Sequence, residues 1–387
     1  MSNLLIGIYF HPEAFPPTLN AIGELSECFD HITVIHRPHL HNSWKYPANV
    51  HAIASGNFIT AKKQEAAPLP KKVGFYIQYV GLFLRHCLQK KPSVILVYDS
   101  LSLYAYHLVK RLLRFQHKIW YHNHDVTEPE LLRRFSIGWF AAGKEAGAFD
   151  YLDIFSLPTN DRLKYFPMQR FKGKYFFIPN YPAKKFYLQF YQPRILQQTV
   201  RIIFQGYIGP YHGIEEIIPL LKEPLLDYRL ELVLKGPCPE DYKSRVLQLA
   251  GAYNTADRIT FIGVTPYADV PATSAACHIG IGILAKNDVM NTTLGTASNK
   301  IYEYAAVGLP VLYYASENFT RYLEKYSWAL PTGTSSQEIK EQLTSMLRSY
   351  SRLSAAAHRD FLQELNFETG FRQVKDYLLQ ERSKGLI

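Results

Sequence analysis

The chain has 387 residues, 47% of them hydrophobic and 20% charged, and a net charge of +10. That length exceeds one ordinary core and that balance belongs to folded protein, so two domains are expected and a disordered chain is excluded. The charge excess is confined to Met1–Phe190, with 23 Lys and Arg against 13 Asp and Glu, whereas Tyr191–Ile387 carries 20 of each.

The first half opens on Leu4–Phe10, an apolar run of strand type, followed by His11–Thr18, read as a loop because Pro16 and Pro17 oppose regular structure. Leu19–Cys28 reads as a helix and His31–His36 as a strand, a β-loop-α-β start that favours a parallel sheet. Lys71–Lys91 is a long aromatic helix, Val94–Tyr98 a strand with Asp99 at its end, and Leu101–Phe115 a helix. Lys118–Tyr121 is the next strand and runs into His122, Asn123, His124 and Asp125. Glu130–Phe149 reads as a helix, Asp153–Leu157 and Tyr175–Ile178 as strands. Pro179–Pro182 break the pattern and Lys184–Gln198 is irregular, which puts the domain boundary at residues 190/191.

The alternation then restarts. Strands are expected at Arg201–Gln205, Leu230–Leu234, Ile259–Ile262, His278–Leu284 and Pro310–Tyr314. Helices are expected at Gly213–Leu221, Pro239–Tyr253, Val270–Ala276, Ser336–Tyr350 and Ser354–Arg382, with a further helix capped by Ser298 or Asn299. The fold class is α/β, two Rossmann-like doubly wound domains facing a central cleft. Residues 1–190 form the basic first domain, 191–355 the second, and 356–387 terminal helices packing back towards the first.

In open α/β sheets, ligands sit beyond the C-terminal ends of the strands. In the second half those positions hold Gly206, Gly209, His212, Lys235, Gly263, Val264 and the turn Ser298, Asn299 and Lys300, with Glu303 one helical turn on. Glycines let backbone approach phosphate, lysines neutralise its charge, and a carboxylate accepts sugar hydroxyls. In the first half the same positions hold His11, Glu13, Asp99 and His122, with His124 and Asp125 furthest past their strand. Histidines and aspartates there are proton acceptors or hydroxyl binders.

Several classes are excluded by absent motifs. GxGxxG is missing after the first strand, where GIYFHPEAFPP stands, and GxxxxGK[ST], HExxH and GxSxG are missing throughout. The four cysteines are widely spaced, with no CxxC pair, which points to a reducing compartment and away from structural zinc. Met1–Phe10 lacks a basic n-region and is not read as a signal peptide. Val73–Leu84, the longest apolar candidate, contains Gln78 and is too short to span a bilayer. The charge excess is not interleaved with an RNA-binding motif, so nucleic acid is not expected as a partner.

On IIFQGYIGPYHGIEEII, LELVLKGPCPEDYKSRV, RITFIGVTPYADVPATSAACHIGIGIL and above all SNKIYEYAAVGLPVL, the chain resembles the glycosyltransferases of the GT-B fold, especially the family 4-like members that use nucleotide sugars. WYHNHDVTEPE and FFIPNYP carry a weaker likeness in the first half. The resemblance implies a donor site in the second domain. Glu303 matches the glutamate that holds the donor ribose, Ser298–Lys300 the segment beside the diphosphate, and Gly263 and Val264 the turn that holds the base. It implies an acceptor site in the first domain, with His124 and Asp125 as catalytic candidates. Departures lie at Gly295, where the family often has an acid, at Tyr207 and His212, where it has Arg and Lys, at Lys235 and at Ala297.

The expected activity is metal-independent transfer of a hexosyl or related group to an acceptor hydroxyl, with retention favoured, in glycan, polysaccharide or glycolipid synthesis. No cofactor is expected. The expected partners are a nucleotide-sugar donor, a glycan or lipid-linked acceptor and an anionic membrane surface, met through basic stretches such as Tyr76–Lys91 and Leu131–Phe140. The expected location is the cytoplasm, with a peripheral seat at the inner face of the membrane. The alternatives are a nucleotide-sugar epimerase on the same fold and a non-catalytic nucleotide-sugar-binding relative.

Overall fold

The computed structural model describes residues 2–40 and 43–387. The chain divides into two compact units, residues 1–179 with 370–387, and residues 180–369. In the first, seven strands run β1 (Asn3–Ile8), β2 (His31–His36), β3 (Val50–Ala54), β4 (Val94–Tyr98), β5 (Lys118–His122), β6 (Ile154–Leu157) and β7 (Lys174–Phe177). They form a parallel sheet in the order β3-β2-β1-β4-β5-β6-β7. In the second, β8 (Thr199–Gln205), β9 (Arg229–Lys235), β10 (Ile259–Gly263), β11 (Ile279–Gly282), β12 (Val311–Tyr314) and β13 (Ala329–Thr332) form a parallel sheet in the order β10-β9-β8-β11-β12-β13.

Central strands such as VILVY of β4 are apolar along their whole length because both sheet faces are covered, and every residue of that strand is buried. Each order reverses once, between β1 and β4 and between β8 and β11, and a crevice for ligands opens at such a reversal.

Local details depart from the sequence reading for physical reasons. Pro16 and Pro17 do not end structure but start it: they are the first residues of the helix Pro16–Leu25. A helix's first turn has unused N–H groups, so proline costs nothing there. The helix expected from Glu130 begins only at Ile137, after Phe135 adopts φ +62° and Ser136 caps the end by accepting from Trp139 N at 3.2 Å. Leu131–Phe140 is therefore not one amphipathic helix. The helix Leu69–Lys90 buries Tyr76, Tyr79, Phe83 and Cys87, so its aromatic face belongs to the core. The expected helix Ser354–Arg382 is two, Tyr350–Gln363 and Phe367–Ser383. Between them Asn366 turns its amide onto Phe361 O at 2.8 Å.

The division between units falls at Pro179/Asn180 rather than at residue 190. Asn180 donates to Thr296 O and Ala297 O at 2.9 Å, and Tyr187 is fully buried, so residues 180–190 pack with the second unit. Residues 370–387 return to the first unit. There the Phe371 ring packs against Trp120 of β5, and Lys375, Glu381 and Arg382 pair with Glu24, Lys118 and Asp30. No helix among the described residues is long and apolar enough to cross a membrane.

Candidate active site

In the second unit the loops after β8, β9 and β10 are laced by their backbones. Gly206 N bonds to Lys235 O and Gly236 N to Gly263 O, each at 2.9 Å. Gly206, Gly236 and Gly263 have φ of +124°, +134° and +75°. A side chain at Gly236 would collide with the carbonyl oxygen of Gly206. The strands thus end in tight, side-chain-free backbone, where an anion can come close to N–H groups.

Into this edge points the helix Asn299–Ala306, with Ser298 at its N-cap position. The Ser298 side chain makes no capping bond, contrary to expectation, and Asn299 Oδ1 is buried without a partner. Ser298 therefore gives the first-turn amides no side-chain acceptor, and a helix N-terminus of this kind favours an anion. Lys300, in that first turn, lies over the Phe204 ring at 4.5 Å from its centroid, beside Gly206. Burial lowers its pKa to about 8, against the pull of Glu303.

Glu303 is 3% exposed. Its carboxylate accepts from Gln205 Nε2 at 2.6 Å and from the hydroxyls of Tyr187 and Tyr267. Gln205 is itself fixed: its side-chain carbonyl accepts from Ser274 Oγ at 3.0 Å, and its backbone N–H donates to Tyr304 Oη at 2.7 Å. Burial raises the Glu303 pKa to about 7, opposed by these donors and by Lys300.

The other expected donor residues take various places. His212 stacks on Phe204 at 4.7 Å, and burial with the Lys300 charge lowers its pKa to about 3, so it is neutral and no substitute for a lysine. Lys235 is buried, donates to Thr265 Oγ1, and has its pKa lowered by burial. Gly209 lies in the loop after β8, and Val264 is exposed just past β10. Gln205, Tyr187, Tyr267 and Ser274 were not legible as site residues, because no motif links these distant positions.

In the first unit, the ends of β4 and β5 build a second cluster. Asp99, at φ +60°, accepts from His124 N at 2.7 Å and bonds His124 Nδ1 at 2.9 Å. Thr18 Oγ1 lies 2.9 Å from Nε2, and the ring is stacked between Phe15 and Tyr98. Both His124 nitrogens are thus engaged, and the residue is buried. Asp125 is different: its side chain is 56% exposed and touches buried Arg162 at 3.5 Å. Arg162 also donates to His124 O, which fixes the segment.

The remaining candidates are buried. His122 is buried against Ser156 Oγ at 2.9 Å, with its pKa pushed well down by burial. His11 is buried, accepts from Glu13 N at 3.3 Å, and burial lowers its pKa to about 4. Glu13 is buried and accepts from Ser43 N at 2.7 Å and Trp44 N at 2.9 Å.

Known proteins share this architecture. Sucrose-phosphate synthase from Thermosynechococcus elongatus superposes with a TM-score of 0.70 at 14% identity, over 99% of this chain and all of the other. Anabaena HepE in complex with UDP and glucose gives 0.67 at 14% identity, over 98% and 100%. WaaG, a glycosyltransferase involved in lipopolysaccharide biosynthesis, gives 0.64 at 14% identity, over 97% and 99%. No curated protein sequence matches the chain significantly. The fold is therefore GT-B. Residues 189–359, all within the second unit, match the sequence profile of the glycosyl transferases group 1.

Proposed function

We propose that the chain transfers a sugar from a nucleotide diphosphate sugar to an acceptor hydroxyl. The observation that carries this reading is the edge formed by Gly206, Gly236, Lys300 and the open first turn of Asn299–Ala306, inside the segment that matches the group 1 profile. The sugar C1–O bond to the diphosphate breaks and a C1–O bond to the acceptor forms, while the acceptor hydroxyl passes its proton to the departing diphosphate oxygen. Charge developing on the departing diphosphate is met by Lys300 and the helix amides. That arrangement asks for no metal, and activity is expected to persist in EDTA. Glu303 receives the ribose hydroxyls.

In the first unit Asp125, with its exposed carboxylate, is the group that meets a reacting hydroxyl. His124, held by Asp99 and Thr18, orients the reactants. A fixed, fully engaged histidine is a weak proton acceptor, which fits retention better than inversion. The first unit, which carries the basic excess, is assigned the acceptor. A location at the inner face of a membrane follows if that acceptor is lipid-held.

The test is a thermal-shift screen with UDP, GDP, CMP and ADP, with Glu303→Ala as control. UDP is the first choice because HepE is seen with UDP and with UDP-glucose. A rise in melting temperature with one nucleoside diphosphate, absent in the variant, is expected. If none moves the wild type, the donor site is wrongly assigned.

A further inference from the structure

The first unit holds a cavity of about 880 Å³ that none of the residues above explains. Small-molecule sites typically measure roughly 300–1,000 Å³. It opens beside the β1/β4 reversal, since Phe10 follows β1 and Leu101 lies in the helix after β4. Its wall is mainly apolar, built by Phe10, Leu101, Pro68 and Leu69. Leu69 is 50% exposed, and Phe135, also on the wall, is 69% exposed. Phe135 stands at φ +62°, a conformation that bulky residues avoid and that clusters at binding sites.

Polar groups converge on the same space. Lys72, Arg133 and Arg134 line it against one carboxylate, Glu65. Among the described residues, none of the three cations makes a side-chain ion pair or hydrogen bond. Ser136, Ile137 and Gly138 bring the N-terminus of the helix Ile137–Ala148 to the same wall. His39 also lines the cavity, is 3% exposed, and has neither ring nitrogen in a hydrogen bond of ordinary geometry. Unpaired cations, a helix N-terminus and a buried imidazole on an apolar wall fit one chemistry, an anion joined to an apolar chain.

We infer that this cavity binds the acceptor and that the acceptor is an amphiphile with a phosphate beside an aliphatic chain. The inference rests on the transferase reading for the word acceptor, but binding itself does not depend on it. The phosphate lies with Arg133, Arg134 and the helix N-terminus, and the chain lies along Leu69, Pro68, Phe10 and Phe135.

Full-length protein is titrated calorimetrically with dodecyl phosphate, inorganic phosphate and uncharged dodecyl maltoside, each below its micelle concentration. Dodecyl phosphate should bind at least about tenfold more tightly than either of the others, because only it meets both walls. The double variant Arg133→Ala/Arg134→Ala should lose about tenfold or more, with Arg133→Lys/Arg134→Lys retaining most of the affinity. Leu69→Asp should weaken the same ligand, which separates apolar seating from charge alone. Urea unfolding followed by the circular dichroism of each variant checks that the first unit is folded, and nucleoside diphosphate binding in the second unit should be unchanged. Equal binding of dodecyl maltoside, equal binding of inorganic phosphate, or an unaffected double alanine variant each overturns the proposal. If dodecyl phosphate binds and no nucleotide does, the donor reading fails while this site stands.

Discussion

At the scale of single residues, the proposed donor site implies opposite limits on nucleotide binding from Glu303 and Lys300. Glu303 accepts hydroxyls best when ionised, and burial holds its pKa near 7. Lys300 meets phosphate when protonated, and burial holds its pKa near 8. Nucleoside diphosphate affinity, measured by calorimetry across pH, should therefore peak between these values. The acid limb should flatten in Glu303→Gln and the alkaline limb in Lys300→Met. Glu303→Ala should cost roughly 10- to 100-fold in affinity, the worth of hydrogen bonds to a charged group. The same raised pKa has a stability consequence. The folded state holds the proton to higher pH than the unfolded chain, so this contribution is complete below the unfolded value and is lost as pH rises through about 7. Wild type should thus lose stability relative to Glu303→Gln over that interval, as read by urea unfolding. Asp99 offers a separate test, because it combines a left-handed backbone with two bonds to His124. Asp99→Ala and Asp99→Gly both lose those bonds, but glycine relieves the backbone, so Asp99→Gly should be the more stable by about 1 kcal/mol. Equal stabilities would show that the backbone at Asp99 carries no strain.

At the scale of elements, the helix Asn299–Ala306 is held to its sheet by a close approach. A Cβ at Gly280 of β11 would run into the Tyr304 ring, whose hydroxyl anchors Gln205. Gly280→Ala should destabilise the protein by about 1–3 kcal/mol, as overpacking does, and should weaken nucleotide binding by displacing Glu303. Chemical denaturation and calorimetry on the same sample check both. Much of this geometry was legible beforehand. Fully buried parallel strands are apolar runs, and their ends name the loops at the site. What escaped was short or partly exposed. β3 (VHAIA) is a half-exposed edge, and β13 carries Pro331 with two exposed-side positions, so neither shows an apolar run. The capping of Asn299–Ala306 was misread because Ser298 has the right residue type but spends no side-chain bond on the helix. His11, Glu13 and His122 were indistinguishable from exposed binding residues in sequence, since only packing reveals that they are buried. The tyrosines on Glu303 come from segments far apart in the chain, and such contacts leave no local pattern.

At the scale of the whole molecule, donor and acceptor chemistry are assigned to different compact units. Hydrogen exchange is the corresponding measurement. A bound nucleoside diphosphate should slow exchange around residues 206–213, 235–237 and 295–303, while dodecyl phosphate should act around residues 61–72 and 133–138. Protection by the nucleotide confined to the first unit would contradict the division of labour. The partition also has a consequence for how the protein is made. Trp120 in the middle of the first sheet is covered by Phe371, and Lys118, Glu24 and Asp30 find their partners in residues 375–382. A ribosome delivers those residues only after every part of the second unit. The half that is translated first is therefore the half that matures last, and until then Trp120 waits without Phe371 and three charged groups wait without their partners.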